Sequence, residues 1–242
     1  MSVHFGRIGQ LLRYYPWPTG MALVIGEAAR KLFDPHAQPS YSQSGEDRVL
    51  SAWLDLSRPG FYVDVGCHHP FKGSNTAGLY SRGWRGLAID GNPDLVRRFR
   101  RARPRDICEC AIVSDREAPM TLAIARQPEF STVSAEFEGR WIRPGDVVRR
   151  LESTAVRLQT LLRRHGVPRV FDLLSVDVEG HDYEVLTSFD IEEYRPRVVV
   201  IELHDLDLEN LSPHPVCAYL NDHGYRLRSY TQMNGLFIDR RA

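Results

Sequence analysis

The chain has 242 residues, of which 43% are hydrophobic, and its 31 Lys and Arg residues balance its 31 Asp and Glu residues. This length and composition allow a substantial buried core and exclude a disordered chain. The zero net charge gives no overall attraction to nucleic acid or to an anionic membrane, so we expect no nucleic-acid partner.

The cysteines and the apolar runs predict where the protein resides. Four cysteines, Cys67, Cys108, Cys110 and Cys217, are too few and too scattered for a disulfide framework, so we expect reduced thiols. The longest apolar run is MALVI at residues 21–25, far short of the roughly 20 residues that cross a bilayer. No signal-like segment with a cleavage site is recognisable. We therefore predict a cytoplasmic protein without a transmembrane segment.

The first forty residues differ in pattern from the rest of the chain. Residues 6–33 are predicted to form two short helices interrupted at PWPTG, residues 16–20, because two prolines and a glycine break a helix. The following segment, DPHAQPS at residues 34–40, has the composition of a linker. We therefore predict an N-terminal helical extension over residues 1–40, followed by one domain over residues 41–242.

The extension contains an aromatic and basic cluster. Tyr14, Tyr15 and Trp17 lie close in sequence to Arg13. These residues suit packing against the following domain, which is the favoured interpretation, but they also suit peripheral contact with a membrane surface or a partner. Contact with a second copy of the chain, giving a homo-oligomer, stays open as well.

After Gly45, short apolar runs alternate with helical patterns up to the C-terminus. The strand-sized runs are FYVDV, GLAID, ICECAIV, FDLLSVD and VVVIEL. Buried strands separated by helices predict an α/β fold, a mostly parallel sheet with helices on both faces. MTLAIA and a run near TAVRL are also strand-like, and GYRLRSYTQMNGLFIDR predicts a C-terminal antiparallel hairpin.

The first predicted strand leads into an unusual polar loop, in the stretch FYVDVGCHHPFKGSNT at residues 61–76. Ligands of open α/β sheets bind beyond the carboxyl ends of the strands. Asp64 lies near the end of this strand, and Gly66 allows the backbone to approach a ligand closely. Asp90 ends the next strand, where a carboxylate can bind ribose hydroxyls. These residues predict a nucleoside site, although a helix cap with a tight turn is a purely structural alternative.

The loop is poorly suited to a dinucleotide. A pyrophosphate site needs further glycines, whereas this loop continues with Cys67, His68, His69 and Pro70. S-adenosylmethionine contains adenosine but no phosphate, so a single close-approach glycine suffices. The sequence therefore favours S-adenosylmethionine as cofactor, and a nucleotide-dependent oxidoreductase on a Rossmann-like sheet remains the alternative.

Several ordered motifs resemble those of one enzyme family. They are YSQSGEDRVL, GFYVDVGCHHPFKGSNTAGLYSRGWRGLAIDGNP, DLLSVDVEGHDYEVL and RPRVVVIELH, and together they resemble the FkbM-type methyltransferases over residues 41 to 239. The resemblance implies a class I methyltransferase (Rossmann-like) domain over residues 41–242 that uses S-adenosylmethionine. It also implies hydroxyl groups of sugars, glycan precursors or related small metabolites as acceptors.

The resemblance assigns roles to particular residues. It implies that Asp64 and Gly66 form the cofactor loop, that Asp90 binds the ribose and that Asp177 faces the sulfonium. Two residues would line the methionine end, Gln43 and Asp47. The predicted cofactor-binding set is completed by Ser74, Asn75 and Asn92, although Ser74 or Asn75 can instead cap the helix that follows. The sequence departs from the family pattern at Cys67 and at His181.

A sugar hydroxyl is a poor nucleophile, so the site needs a general base or a divalent metal. The candidate catalytic bases are His69, which is favoured, His68 and His181. A metal site would use Asp177, Glu202 and His204, with Glu179 nearby, a set that suits Mg²⁺ or Mn²⁺. The sequence does not decide whether a general base or a divalent metal activates the acceptor hydroxyl.

An arginine-rich run, RRFRRARPR at residues 97–105, is the last candidate feature. Its side chains could contact phosphates of RNA or of a nucleotide-linked or lipid-linked acceptor, although a solvated helix face is favoured. The leading hypothesis is an S-adenosylmethionine-dependent O-methyltransferase acting on a small-molecule or glycan acceptor. An RNA-directed or non-catalytic binding module is the further alternative.

Overall fold

The computed structural model describes residues 11–33 and 40–241, which contain a seven-stranded sheet, a small two-stranded sheet and the helices around them. The helices longer than one turn are α1 (Trp17–Phe33), α2 (Glu46–Trp53), α3 (Ala77–Ser81), α4 (Pro93–Ala102), α5 (Ala135–Trp141), α6 (Leu158–Arg164), α7 (Asp182–Thr187) and α8 (Pro215–Asp222). The strands are β1 (Phe61–Val65), β2 (Arg85–Asp90), β3 (Ile107–Cys110), β4 (Pro119–Ala125), β5 (Val147–Thr154), β6 (Val170–Val176), β7 (Arg195–Glu202), β8 (Tyr225–Thr231) and β9 (Asn234–Asp239).

The large sheet has the strand order β3-β2-β1-β6-β7-β9-β8. Neighbours from β3 to β7 pair in parallel, whereas β9 pairs antiparallel with both β7 and β8. The predicted α/β class, the mostly parallel sheet and the C-terminal antiparallel hairpin are therefore confirmed. β9 lies between β7 and β8, so both strands of the hairpin are part of the large sheet and β8 forms its edge.

Both faces of the sheet are buried, as the alternation of side chains along β1 shows. Tyr62 packs with Leu50 of α2 and Trp84 in one cluster, whereas Val63 packs with Leu158 of α6 and Val185 of α7 in another. Successive strand residues point to opposite faces, so a continuous apolar run fills two cores at once. The helices therefore cover both faces, and the carboxyl ends of the parallel strands remain free to build a site.

A two-stranded antiparallel sheet, β4 with β5, is inserted after β3. The predicted strand MTLAIA is confirmed as part of β4. The strand predicted near TAVRL is wrong in position, because β5 ends at Thr154 and Val156 makes only an isolated bridge to Val113. β5 has no buried residue, and its successive arginines Arg149 and Arg150 are both exposed, so the strand lacks the apolar alternation that would reveal it in the sequence.

The described part of the N-terminal extension packs on the main domain. Leu11 is buried with Phe71 of the β1 loop and Ala102 of α4, and Tyr14 and Val24 pack against this cluster. No helix in residues 11–33 or 40–241 is long and apolar enough to cross a membrane. The predictions for residues 1–10 and for the linker up to residue 39 lie outside the described residues.

The helix interruption lies slightly earlier than the sequence predicts. A helical turn covers residues 11–14, and α1 begins at Trp17, so that Pro18 lies in its first turn and Gly20 inside the helix. Proline is accommodated in a first turn because its missing N–H would have no partner there. Trp17 is 71% exposed, unlike Tyr14.

Candidate active site

The carboxyl ends of β1, β2 and β6 meet at one edge of the sheet and form a pocket, here named the strand-end pocket. Of the predicted site residues, those that line it are Gly66, His68, Asp90, Asp177 and His181, together with Glu179. The pocket encloses about 610 Å³ of empty space, part of it open to solvent. The predicted residues that do not line it are Gln43, Asp47, Asp64, His69, Ser74, Asn75 and Asn92.

Gly66 is required by a close approach between two backbone segments. Its φ is +80°, and a Cβ atom added there would lie 1.7 Å from the carbonyl oxygen of Asp177. Its N–H donates to the carbonyl of Ile89 at 2.9 Å. The glycine therefore brings together the loops after β1 and β6, in addition to lining the strand-end pocket as the sequence predicts.

Asp90 closes the β2 side of the strand-end pocket. Its carboxylate accepts the backbone N–H of His68 at 3.0 Å and that of Asn92 at 2.8 Å. Burial raises the pKa of Asp90 to about 6. Each carboxylate oxygen keeps a second acceptor position, so an ionised Asp90 can still bind a ribose diol.

We expect the affinity for S-adenosylhomocysteine to fall about three- to tenfold between pH 7.5 and pH 5. Protonation of Asp90, with its pKa of about 6, removes the anionic acceptor that the ribose hydroxyls need. Calorimetric titration across this range measures the effect. Asp90→Asn should bind about 10- to 100-fold more weakly with a flat pH profile, since a hydrogen bond to a charged group contributes about 1.5–3 kcal/mol. An unchanged slope in Asp90→Asn would contradict the assignment.

The opposite wall of the strand-end pocket is apolar and was not predicted. Leu122 of β4 and Val133, both within the β4–β5 insertion, line the pocket with Leu95, Ile112 and Val113. An apolar slot beside a carboxylate suits an adenine ring with its ribose. The run MTLAIA signalled a strand, but nothing local in the sequence places that strand over the pocket.

The two adjacent histidines of the loop have different environments. His69, the favoured base, accepts the backbone N–H groups of Phe71 and Lys72 through Nδ1 at 3.1 and 2.9 Å, and its ring packs against Tyr14. Burial lowers the pKa of His69 to about 4. His68, with a left-handed φ of 41°, lines the pocket, and burial lowers its pKa. The geometry gives His69 a structural position and presents a neutral His68 to the ligand.

His181 lies on the far side of the strand-end pocket, immediately before α7. Its Nε2 lies 3.0 Å from the hydroxyl of Ser114, and its Nδ1 lies 3.5 Å from a carboxylate oxygen of Glu184. Burial lowers the pKa of His181. Both ring nitrogens are therefore engaged by neighbours, and the ring contributes shape to the pocket.

Asp64 and the Ser-Asn-Thr triplet lie beneath the strand-end pocket around a buried arginine. Thr76 donates to Asp64 at 2.6 Å, and Arg103 donates to Ser74 and Thr76 at 2.9 and 2.8 Å. Asn75 donates to the hydroxyl of Ser175 at 3.2 Å. Thr76 is the N-cap residue of α3 and no side chain caps this helix, so the suggested capping by Ser74 or Asn75 is wrong. Ser74 instead accepts from Arg103, and Asn75 instead donates to Ser175.

Three other predicted cofactor residues lie outside the strand-end pocket. Asp47 accepts the backbone N–H of Tyr41 at 2.8 Å and the hydroxyls of Ser40 and Ser42. Asn92 caps α4 by accepting the N–H of Asp94 at 3.0 Å. Gln43 is exposed. Asp47 and Asn92 therefore stabilise the local backbone.

A second concavity, here named the side cleft, adjoins the strand-end pocket. It encloses about 840 Å³ of empty space, and its walls include Phe137, Trp141, Tyr183, Glu202, His204 and His214. Ligand atoms of Glu179, Glu202 and His204 all lie within 4.8 Å of one another. The sequence predicted Glu202 and His204 for a metal together with Asp177. The structure groups them with Glu179, whereas Asp177 lines the strand-end pocket.

The boundary between the two concavities has an unusual concentration of buried carboxyl groups. Burial, and next the Glu202 carboxylate, raise the pKa of Asp177. Burial and Asp177 raise the pKa of Glu179 to about 10, and burial and Glu202 raise the pKa of Asp182 to about 7. Within the described residues, no Lys or Arg forms an ion pair with any of these four carboxyl groups, which are those of Asp177, Glu179, Asp182 and Glu202. Burial and mutual repulsion therefore favour the protonated, neutral form of Asp177, Glu179 and Asp182.

One arginine of the arginine-rich run is buried, and the others are exposed. Arg103 is fully buried. Arg100 and Arg105 are exposed, although Arg100 donates to the carbonyl of Cys108 at 2.8 Å and Arg105 stacks over the ring of Tyr80 with 3.9 Å to its centroid. The run is therefore mostly a solvated face, as the sequence favours.

One family of known proteins matches most of the chain. A model of the methyltransferase FkbM domain matches residues 64–227. A solved structure, a TehB-like S-adenosylmethionine-dependent methyltransferase from Corynebacterium glutamicum, is 12% identical and gives a TM-score of 0.39, covering 91% of this chain and 98% of that one. No curated protein sequence matches the chain. The family match spans well over half of the residues and implies S-adenosylmethionine as methyl donor. The chain belongs to the FkbM methyltransferase family.

Proposed function

We propose that the protein transfers the methyl group of S-adenosylmethionine to a hydroxyl group of a sugar, a glycan precursor or a related small metabolite. The observation that carries the proposal is the junction of the two concavities. Glu179 lines the strand-end pocket and also lies within 4.8 Å of the ligand atoms of Glu202 and His204, which line the side cleft. A donor in the first and an acceptor in the second would therefore meet.

The walls of the side cleft favour a sugar-like acceptor. Trp141 is 46% exposed and Tyr183 is 39% exposed, so both offer an aromatic face to a ligand. Sugar rings present apolar C–H faces to such rings and hydroxyls to polar groups, which here include Glu184 and His214. A flat apolar acceptor would leave these polar groups unpaired.

The proposed reaction is an in-line displacement at the methyl carbon. The acceptor oxygen forms a bond to the methyl carbon, the bond from that carbon to sulfur breaks, and S-adenosylhomocysteine leaves as a neutral thioether. Orientation of the three atoms supplies most of the rate enhancement. The hydroxyl proton passes to His68, which the lowered pKa keeps neutral at pH 7.

We expect His68→Asn to lower the turnover of O-methylation by about 10² to 10⁴, as for loss of a general base, while S-adenosylhomocysteine affinity changes little. Asparagine is chosen because it tolerates the left-handed φ of 41° at this position. The assay supplies labelled S-adenosylmethionine with a panel of sugars and nucleotide sugars, and mass spectrometry locates the methyl group on oxygen.

The matched control is His69→Asn, whose side-chain oxygen can accept the backbone N–H groups of Phe71 and Lys72 in place of Nδ1. Its turnover should stay close to that of the unmodified protein. Equal losses in both variants would contradict the assignment of His68 as base. Methyl transfer only to amines or thiols would contradict O-methylation, and reduction of NAD by an acceptor would favour the oxidoreductase alternative.

We further propose a cytoplasmic location and a peripheral role for the extension. Support for the location comes from the four cysteines, Cys67, Cys108, Cys110 and Cys217, which are unpaired thiols. On α1, Trp17 and Ile25 are 71% and 61% exposed, which suits contact with a second copy of the chain or another surface. For the methyl-transfer reaction itself, we also propose Mg²⁺ or Mn²⁺ as an additional cofactor, as the sequence suggests.

A further inference from the structure

We propose that Glu179, Glu202 and His204 form a divalent metal centre at the junction of the strand-end pocket and the side cleft, with a preference for Mn²⁺ over Mg²⁺. This inference rests on the proposed function only for the role of the ion. The centre itself follows from the arrangement of the side chains, which come from the loop after β6 and the end of β7.

The first observation is an unsatisfied pair of ligand atoms. Oε2 of Glu202 and Nε2 of His204 form a buried pair 2.8 Å apart, and neither atom has a further hydrogen-bond partner. The Glu202 side chain is only 9% exposed. Two neighbouring ligands on one ion lie about 3 Å apart when each bond is about 2.1 Å. The pair therefore has the spacing of metal ligands.

The second observation is the backbone that presents Glu179. Its φ is 57°, a left-handed conformation that is uncommon for glutamate. The carbonyl of Glu179 accepts the hydroxyl of Thr132 at 2.7 Å, which helps to hold the residue in this conformation. Backbone strain concentrates at functional sites, and here it directs a third ligand atom to within 4.8 Å of the other two.

The third observation is the set of acidic groups around the pair. Asp182 lines the side cleft with Glu202 and His204, and Glu179 lines the adjoining strand-end pocket. A divalent ion would bind the ionised carboxylates and would supply a further partner for Oε2 and Nε2.

The ligand types narrow the identity of the ion. Carboxylate oxygens suit Mg²⁺ and Mn²⁺ alike, but an imidazole nitrogen suits transition ions better than Mg²⁺. Three protein ligands leave open positions facing the side cleft, where an acceptor hydroxyl can bind. Such binding would orient the oxygen toward the methyl donor and lower the pKa of the hydroxyl.

The test is binding of Mn²⁺ alone to the chelator-treated full chain, with neither methyl donor nor acceptor present. The electron paramagnetic resonance signal of free Mn²⁺ should decrease when the chain is added. The size of the decrease should correspond to one bound ion per chain. We expect Glu202→Gln and His204→Gln to weaken binding at least 30-fold. Glu136→Gln, which changes another acid in the side cleft, should bind as the unmodified protein does.

Thermal unfolding provides a second readout. Mn²⁺ should raise the Tm of the unmodified chain and leave that of Glu202→Gln unchanged. Without metal, Glu202→Gln should remain folded, because its side-chain amide has the size of the carboxylate and can still hydrogen-bond His204. A folded chain that binds no Mn²⁺, or equal binding by Glu202→Gln, would overturn the metal centre. Full methyl transfer in excess EDTA would overturn the role of the ion and leave the proposed methyltransferase function standing.

Discussion

Gly66→Ala is expected to abolish S-adenosylhomocysteine binding and to lower the free energy of unfolding by about 3–5 kcal/mol. The new methyl group would lie 1.7 Å from the carbonyl oxygen of Asp177, far inside van der Waals contact. The φ of +80° adds a cost of about 1–2 kcal/mol for a residue with a side chain. Because the clash involves backbone, it can be relieved only if the loop after β1 moves away from the end of β6.

Gly73→Ala is the matched control for this prediction. Gly73 lies in the same loop with a φ of +68°, but a Cβ atom added there meets nothing within 4 Å. Its alanine variant should therefore lose only the conformational cost and keep its cofactor affinity. Calorimetric titration and thermal unfolding of both variants separate the close approach from the conformation. Gly66→Ala with unchanged binding would show that the two loops need not touch.

The large sheet and part of the strand-end pocket could be predicted from the sequence for a common reason. Continuous apolar runs define parallel strands, and residues at the carboxyl ends of such strands meet at one edge. Gly66, Asp90 and Asp177 were found in this way, since each lies at or just beyond the end of a strand run. The prediction needed only the order of the elements.

Polar residues beside the strand ends were harder to assign. Asp47 and Asn92 have the residue types of ligand-binding groups, yet both bind local backbone N–H groups. A short side chain with an acceptor serves a cap or a turn as readily as a ligand. His69 shows the same ambiguity, because its Nδ1 accepts backbone N–H groups two and three residues away.

Contacts between distant segments could not be read from the sequence at all. The apolar wall formed by Leu122 and Val133 depends on where the inserted β4–β5 hairpin docks, which no local pattern specifies. The regrouping of Glu179 with Glu202 and His204 depends on a left-handed backbone at Glu179. Both features decide which residues face the ligand, so the structure changes the site more than it changes the fold.

The second large effect is expected for Arg103→Met, which should lower the free energy of unfolding by about 3–5 kcal/mol, as for other buried charges that lose a partner. Arg103 is fully buried and donates to the carbonyl of Pro70 at 2.9 Å as well as to Ser74 and Thr76. Its guanidinium lies 3.8 Å from Asp106. Methionine fills most of the volume but leaves these acceptors without a donor.

The loss caused by Arg103→Met should depend on pH in a defined direction. Burial raises the pKa of Asp106 to about 6 even with Arg103 present. Above pH 6 the variant must bury an Asp106 carboxylate without its cation, whereas near pH 5 the carboxyl group is protonated and needs that cation less. The difference in stability between the two proteins should therefore shrink as the pH falls from 7.5 to 5.

Arg101→Met is the matched control, because Arg101 is exposed near the end of the same helix and forms no ion pair within the described residues. Its stability should stay within about 0.5 kcal/mol of the unmodified protein at every pH. Urea unfolding at pH 7.5, 6 and 5 measures all three proteins. A loss for Arg103→Met that is small, or equal at every pH, would mean that the β1 loop is held by packing alone. The expected result would mean that Arg103, although it belongs to a run typical of solvated surfaces, holds the loop after β1 in place through buried hydrogen bonds.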